Sequence, residues 1–337
     1  MMKAFVHIGT EKTGTTSLQH FFANNRHLLG SQGFSYPKAL GEVNHLALAA
    51  YAFQDVLNDQ FLCKNLALKT QGDVQRFRQD LRSKLLEEVK SSNTDKIILS
   101  NEHCSSRLTS PDEITALRDL LESVVEEIEL IIYLRRQDSF LLSSYSTFIK
   151  SGNIKSLTIP SGALLKNHYD YWEILEKWHS IFAKHKIVVR VFEKGQLIDN
   201  DLIKDFSRII GLQVDSSFDI PDSYYNVSLD PDCIEFLRLL NIRFRQMGNV
   251  NVRRANLIKL LGEISSNERM GLDEDELSSF MQHLEPSNSK VARHYLNRED
   301  GILFYDFPKP NPSSYALTLE KAFDIFAALW VNSKPPR

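Results

Sequence analysis

Apolar and polar positions alternate along the chain with two different periods. Residues 3–8 form a short β-branched and aromatic run that predicts a buried strand. The runs at 95–100, 128–134 and 186–192 have the same character, and 33–36 adds a fifth strand. Between them apolar residues recur at helical spacing over 15–29, 44–57, 73–91, 111–122, 138–150 and 165–184. Near-continuous apolar strands alternating with helices predict an α/β fold, a parallel sheet covered by helices on both faces. From about 197 onward every periodic segment is helical: 199–211, 231–247, 252–264, 273–284, 287–297 and 315–330. Asp215–Asn226, rich in Asp, Ser and Pro, is the best linker. The expected organisation is an α/β core over 1–212 and a C-terminal helical extension over 213–337, packed on it as a cap.

Composition narrows the classes. With 337 residues and 42% hydrophobic content the chain supports a large core and is not globally disordered. A net charge of −3 argues against a general nucleic-acid or membrane-surface partner. Cys63, Cys104 and Cys233 lie far apart and form no CxxC pair, so neither a disulfide framework nor a zinc site is expected. No run of about 18 apolar residues predicts a membrane span. The N-terminal apolar run is too short for a signal-peptide core. A soluble, cytoplasmic protein is the expectation, with its oligomeric state left open.

The first chemical feature is Gly9-Thr-Glu-Lys-Thr-Gly-Thr-Thr-Ser17, set between the first strand and the first helix. Backbone N–H groups and a helix N-terminus there favour an anion, which makes this a P-loop-type sheet. Gly9 and Gly14 stand at the Walker A glycine positions, but Thr15 occupies the place of the Walker lysine. The only lysine, Lys12, lies inside the loop, so it meets a ligand from another side and ordinary ATP hydrolysis is disfavoured. The Glu-Lys-Thr-Gly-Thr-Thr-Ser-Leu segment resembles the 5′-phosphosulfate loop of the bacterial-type sulfotransferases that use 3′-phosphoadenosine 5′-phosphosulfate (PAPS). That resemblance implies sulfuryl transfer from PAPS to a hydroxyl acceptor, releasing 3′-phosphoadenosine 5′-phosphate (PAP). It places Lys12 at the bridging oxygen and Thr13, Gly14, Thr15, Thr16 and Ser17 around the 5′-phosphate.

The second feature follows the third strand, in Tyr133-Leu-Arg-Arg-Gln-Asp-Ser-Phe-Leu-Leu-Ser-Ser-Tyr145. An arginine at a strand end and a serine early in the next helix offer a guanidinium fork and a hydroxyl to one anion. Arg135, Ser143 and Tyr145 resemble the 3′-phosphate motif of the same family; Arg136 with Ser144 keeps the spacing without the tyrosine. Val189-Arg-Val-Phe-Glu-Lys-Gly-Gln-Leu-Ile, followed by the helix ending Gly211-Leu212, resembles the family's late strand and turn, with Phe192 in place of the usual tyrosine. These segments run in family order through about residue 212.

Sulfuryl transfer needs a base for the acceptor proton. The second long strand ends in Ile98-Leu-Ser-Asn-Glu-His-Cys, bringing Glu102 and His103 to the carboxyl edge of the sheet, where ligands of such folds bind. Family members use either residue type; Glu102 ranks first and His103 is the alternative. Adjacent strand-end residues point to opposite sides, so one of the two faces the acceptor. His7 on the first strand reads as a core histidine. No set of residues has metal-ligand spacing, and no metal is expected. A carbohydrate acceptor is the expectation; Tyr36, His45, Arg107, His168, Tyr169 and Tyr171 can stack on it or hydrogen-bond it, though ordinary packing is the favoured reading of each one taken singly. Arg243, Arg245, Arg253, Arg254 and Lys259 form a basic cluster. A P-loop small-molecule kinase using ATP and Mg²⁺, and a non-catalytic nucleotide binder, are the competing readings.

Overall fold

Five parallel strands pair in the order β2–β3–β1–β4–β5, where β1 is Lys3–Gly9, β2 Phe34–Ser35, β3 Lys96–Ser100, β4 Glu127–Leu134 and β5 Lys186–Val191. All five match predicted runs. β1 sits at the centre, with Lys3 opposite Lys96 on one side and Glu127 on the other. The computed structural model describes residues 2–221, 229–248, 254–266, 270–271, 273–306 and 317–332. It divides into two compact units: Met1–Arg136, Ser161–Asp222 and Leu284–Asp306 form the first, and Gln137–Pro160, Ser223–His283 and Phe307–Arg337 the second. The units interleave along the chain, each built from three segments. Arg253, residues 222–226 of the linker, and the predicted helix starts at 252–253 and 315–316 lie outside the described residues.

In the first unit the crossovers are helices on both faces of the sheet. They are α1 (Thr15–Asn24), α2 (Arg26–Ser31), α3 (Leu46–Ala52), α4 (Gln60–Leu66), α5 (Gln71–Ser91), α6 (His103–Arg107) and α7 (Pro111–Glu122). After α8 (Gln137–Lys150) of the second unit come α9 (Gly162–His168), α10 (Tyr171–Ile181) and α11 (Leu202–Ile210). Period-two side-chain alternation gives the inner strands β1, β3 and β4 two buried faces. Ala4, Val6 and Ile8 of β1 join Ile97, Leu99, Leu130 and Ile132 in one core, with α3, α7 and α10. Phe5, Ile98, Ile131 and Tyr133 point to the other, against Leu18, Phe21 and Phe22 of α1 and Phe206 of α11. Fully burying each such side chain contributes about 1.5–3 kcal/mol.

Three predicted helices are broken. The 15–29 helix parts at Asn25, whose side-chain amide donates to the Phe21 carbonyl at 2.7 Å and competes with the helical bond there. The 44–57 helix ends at Ala52, and the separate α4 starts after Asp59, whose carboxylate accepts from Leu62 N. The 165–184 helix parts at Asp170, which caps α10 by accepting from Glu173 N at 3.1 Å. Conversely, two predicted helices merge. α14 (Glu274–Leu296) runs through Pro286, despite the lost backbone donor. Next to it Ser287 donates to Asp170 at 2.6 Å, and Val291 and Ala292 enter the sheet core.

The second unit is helical. α8, α12 (Pro231–Gln246), α13 (Arg254–Ile264) and α15 (Leu319–Asn332) surround a small core of Ile149, Cys233, Ile234, Leu237, Leu261 and Ile325. The Asn241 amide ties α12 to α8 by donating to the Ile149 carbonyl at 2.9 Å.

Candidate active site

The loop after β1 is shaped by three left-handed residues: Gly9 at φ +114°, Lys12 at +66° and Gly14 at +75°. At Gly9 glycine is required by space as well. A Cβ there would lie 2.7 Å from Ser105 Oγ and 3.0 Å from the Glu102 carbonyl oxygen. β1 therefore passes directly against the start of α6. The loop is pinned to β4 from the other side: Thr10 donates to the Tyr133 carbonyl through its N–H at 2.8 Å and its hydroxyl at 3.0 Å. Arg135 Nη1 donates to the Lys12 carbonyl at 2.7 Å. Tyr171 in turn donates its hydroxyl to the Arg135 carbonyl at 2.5 Å.

Thr13 is buried, and its hydroxyl donates to the Thr10 carbonyl at 2.6 Å, so it braces the loop from within. Gly14 precedes the first turn of α1, where Thr15 and Thr16 carry backbone N–H groups of the kind a helix start leaves for an anion, while the Ser17 N–H donates to the Gly14 carbonyl at 3.0 Å.

Glu102 and His103 do not leave an extended strand. β3 ends at Ser100, Glu102 is helical at φ −67°, and His103 opens α6. The helical turn still sends them to different partners. Glu102 Oε2 accepts from Gln19 Nε2 at 2.7 Å and Asn44 Nδ2 at 3.0 Å; Asn44 is itself held by Asn101. His103 Nδ1 lies 2.9 Å from Glu11 Oε1 and 2.7 Å from Arg107 Nη1, and Arg107 Nε donates to Asp59 at 2.8 Å.

Charge converges on Lys12. Burial pushes its ammonium below the usual lysine value; Glu11 and Glu102 pull it back up, and Arg135 lowers it further. At Glu11 burial pushes upward, but the His103 ring, the Ser106 hydroxyl and Arg107 outweigh it and hold the carboxyl down to about 2. Lys12 thus stands among two carboxylates and a guanidinium at the carboxyl ends of β1, β3 and β4.

Lys12, Thr13, Gly14, Thr15, Thr16, Ser17, Glu102, His103 and Arg135 all belong to the first unit. Ser143 and Tyr145 lie on α8 of the second, where Tyr145 packs with the core of that unit. In the shifted register, Arg136 Nη1 donates to the Asp306 carbonyl at 2.6 Å, and Ser144 Oγ is buried with no hydrogen-bond partner among the described residues.

The aromatic residues named as acceptor candidates are mostly core, the packing favoured for each of them. Tyr36 stacks on His45 at 4.1 Å with both buried, and Tyr169 and Tyr171 are buried too. Arg107 is committed to Asp59 and Glu11. His7 is a core histidine as expected, its Nδ1 2.9 Å from Ser100 Oγ. Among the described residues no group of three or more His, Cys, Asp or Glu side chains is placed to hold a metal ion, and no helix is long and apolar enough to cross a membrane.

Sequence reading missed Glu11, Gln19 and Asn44. Glu11 adjoins Lys12 and was detectable as a second charge in the loop. Gln19 is one turn into α1, and Asn44 reaches the site only because its loop crosses the end of β3.

The fold defines the class: an α/β protein whose five-stranded parallel sheet is flanked by helices, with a glycine-bounded loop after its central strand. No family model matches the chain. An uncharacterized protein of Archaeoglobus fulgidus is 25% identical over 195 residues, 56% of this chain and 51% of that protein, so the match spans about half of the relative's length. The crystal structure of a sulfotransferase from Alicyclobacillus acidocaldarius aligns over 77% of this chain and 95% of its own, with 14% identity and a TM-score of 0.38.

Proposed function

We propose that the protein transfers a sulfuryl group from PAPS to a hydroxyl of a glycan or glycoconjugate. The observation that carries this reading is the position of Lys12. It stands inside the loop, electrostatically coupled to Glu102 and to Arg135, while Thr15 fills the place a nucleotide hydrolase gives to lysine. In the reaction the acceptor oxygen forms a bond to sulfur as the bond from sulfur to the phosphate oxygen breaks. Negative charge develops on that leaving oxygen, and the ammonium of Lys12 is the group to meet it; such preorganised charge is usually the largest catalytic contribution. Backbone N–H groups and hydroxyls of the Thr13–Ser17 segment take the 5′-phosphate, and Arg135 with Ser143 takes the 3′-phosphate.

The acceptor proton goes to Glu102, with His103 as the alternative. Glu102 is held by two side-chain amides within electrostatic reach of Lys12, which favours it. In this reading 1–212 forms the catalytic core, the helical remainder is its extension, no metal takes part, and the reaction runs in the cytoplasm.

Calorimetry with PAP, 5′-AMP and ATP tests it. Only PAP can use Arg135 and Ser143, and each charge-assisted hydrogen bond contributes roughly 1.5–3 kcal/mol. PAP should bind at least tenfold tighter than 5′-AMP, and Arg135→Ala should erase most of that preference. Equal binding of PAP and 5′-AMP refutes the 3′-phosphate site, and tight Mg²⁺-dependent ATP binding restores the kinase reading.

A further inference from the structure

α15 packs Ile325 and Leu329 into the core of the second unit, yet carries a second apolar stripe on a neighbouring face. Leu319, Phe323, Phe326 and Trp330 are 75%, 62%, 53% and 72% exposed, and Val331 beside them is 71% exposed. Their spacing of four, three and four residues is the d-a-d-a seam of a coiled coil, the pattern one helix presents to another. Large aromatic side chains bury about 150–250 Å² each, so this stripe leaves roughly 600 Å² of apolar surface in water, the upper end for a monomeric protein.

The seam is also self-complementary. A two-fold axis passing between Asp324 and Ile325 sets Phe323 against Phe326 of a second copy and Leu319 against Trp330, each pair formed twice. Antiparallel pairing sets each helix N-terminus beside the other's C-terminus, which the helix dipoles favour. Two such faces together bury roughly 1,200 Å², the lower bound of a specific interface. A membrane surface fits less well. The exposed charges flanking the seam are Glu320, Lys321 and Asp324, not the Lys/Arg-rich face of an interfacial helix, and Lys321 is paired with Asp232 at 2.6 Å.

We propose that α15 is a homodimerisation helix that pairs antiparallel with α15 of a second copy of this chain through Leu319, Phe323, Phe326 and Trp330. The small interface gives a reversible dimer with a dissociation constant on the order of micromolar.

Sedimentation velocity over about 1–100 µM protein tests it. The wild type should shift from monomer to dimer across that range. Phe326→Glu and Phe323→Lys should each weaken the dimer at least tenfold with unchanged far-ultraviolet circular dichroism, since both positions are exposed. The double variant Phe323→Lys/Phe326→Glu should restore it, because each lysine then faces a glutamate of the other copy. A wild type that stays monomeric overturns the proposal, as does a dimer indifferent to both single changes. Failure of the double variant to recover overturns the antiparallel register. A monomer that co-floats with phosphatidylcholine vesicles assigns the stripe to a lipid surface instead.

Discussion

Lowering the pH from 8 to 5 should destabilise the first unit by about 4 kcal/mol, through two buried histidines behind the site. His7, on the central strand, is fully buried; its Nδ1 meets the Ser100 hydroxyl, and its Nε2 has no hydrogen-bond partner among the described residues. Protonation would bury a cation with one N–H unmatched. Burial accordingly pushes the ring from 6.5 to about 4, against a weaker opposing pull from Glu102. His45 is pushed from 6.5 to about 3, chiefly by burial, with a Pro37 backbone contact opposing and Arg26 adding to the shift. Between 6.5 and these lower values the unfolded chain binds protons that the folded chain refuses. Stability is therefore complete above 6.5 and falls as the pH drops through that window. At pH 5 the unfolded rings lie about 1.5 pH units below their midpoint, at about 1.4 kcal/mol per unit, so each histidine removes about 2 kcal/mol. Urea denaturation followed by the fluorescence of Trp172 and Trp178, both in that unit, reads the loss. His7→Gln offers Ser100 an amide that does not titrate, so the variant should lose only about half as much between pH 8 and pH 5. The reasoning fails if the variant and the wild type lose stability equally, or if the His7 ring titrates near 6.5 in the folded protein by NMR.

Lys12→Ala should leave the fold intact and lower sulfuryl transfer by roughly 10²–10³-fold, the loss typical of one stabilising donor; turnover within about twofold of wild type removes Lys12 from the mechanism. Glu102→Gln preserves shape while abolishing proton acceptance, so PAP affinity by calorimetry should survive while turnover falls roughly 10²–10⁴-fold. If that variant keeps its rate and His103→Ala is inactive, the base is His103. Gly9→Ala forces a side chain into a left-handed backbone against Ser105 and Glu102. It should lower stability by about 1–3 kcal/mol and weaken PAP binding as α6 is displaced, both measurable by thermal shift with and without PAP.

Much of this protein is local in origin, and that part is legible in the chain itself. The five strands follow from short apolar runs, and the loop after β1 from two glycines placed where the backbone must turn left-handed. Lys12 and Arg135 are visible because strand, loop and helix are contiguous around them. Helix breaks were missed where one polar side chain captured a nearby backbone group, as Asn25 does to Phe21 and Asp170 to Glu173. Periodicity counts apolar positions and is blind to such bonds. Tertiary structure alone decided what surrounds the lysine. Gln19 and Glu102 are 83 residues apart, and Asn44 is 58 residues from Glu102. They meet because β3 and β1 are neighbours in a parallel sheet, which brings their carboxyl ends and the following turns to one edge. Tertiary packing likewise turned Tyr36, His45 and Tyr171 inward. An aromatic residue's type does not say which face it takes; the pairing of strands and the helices laid over them do.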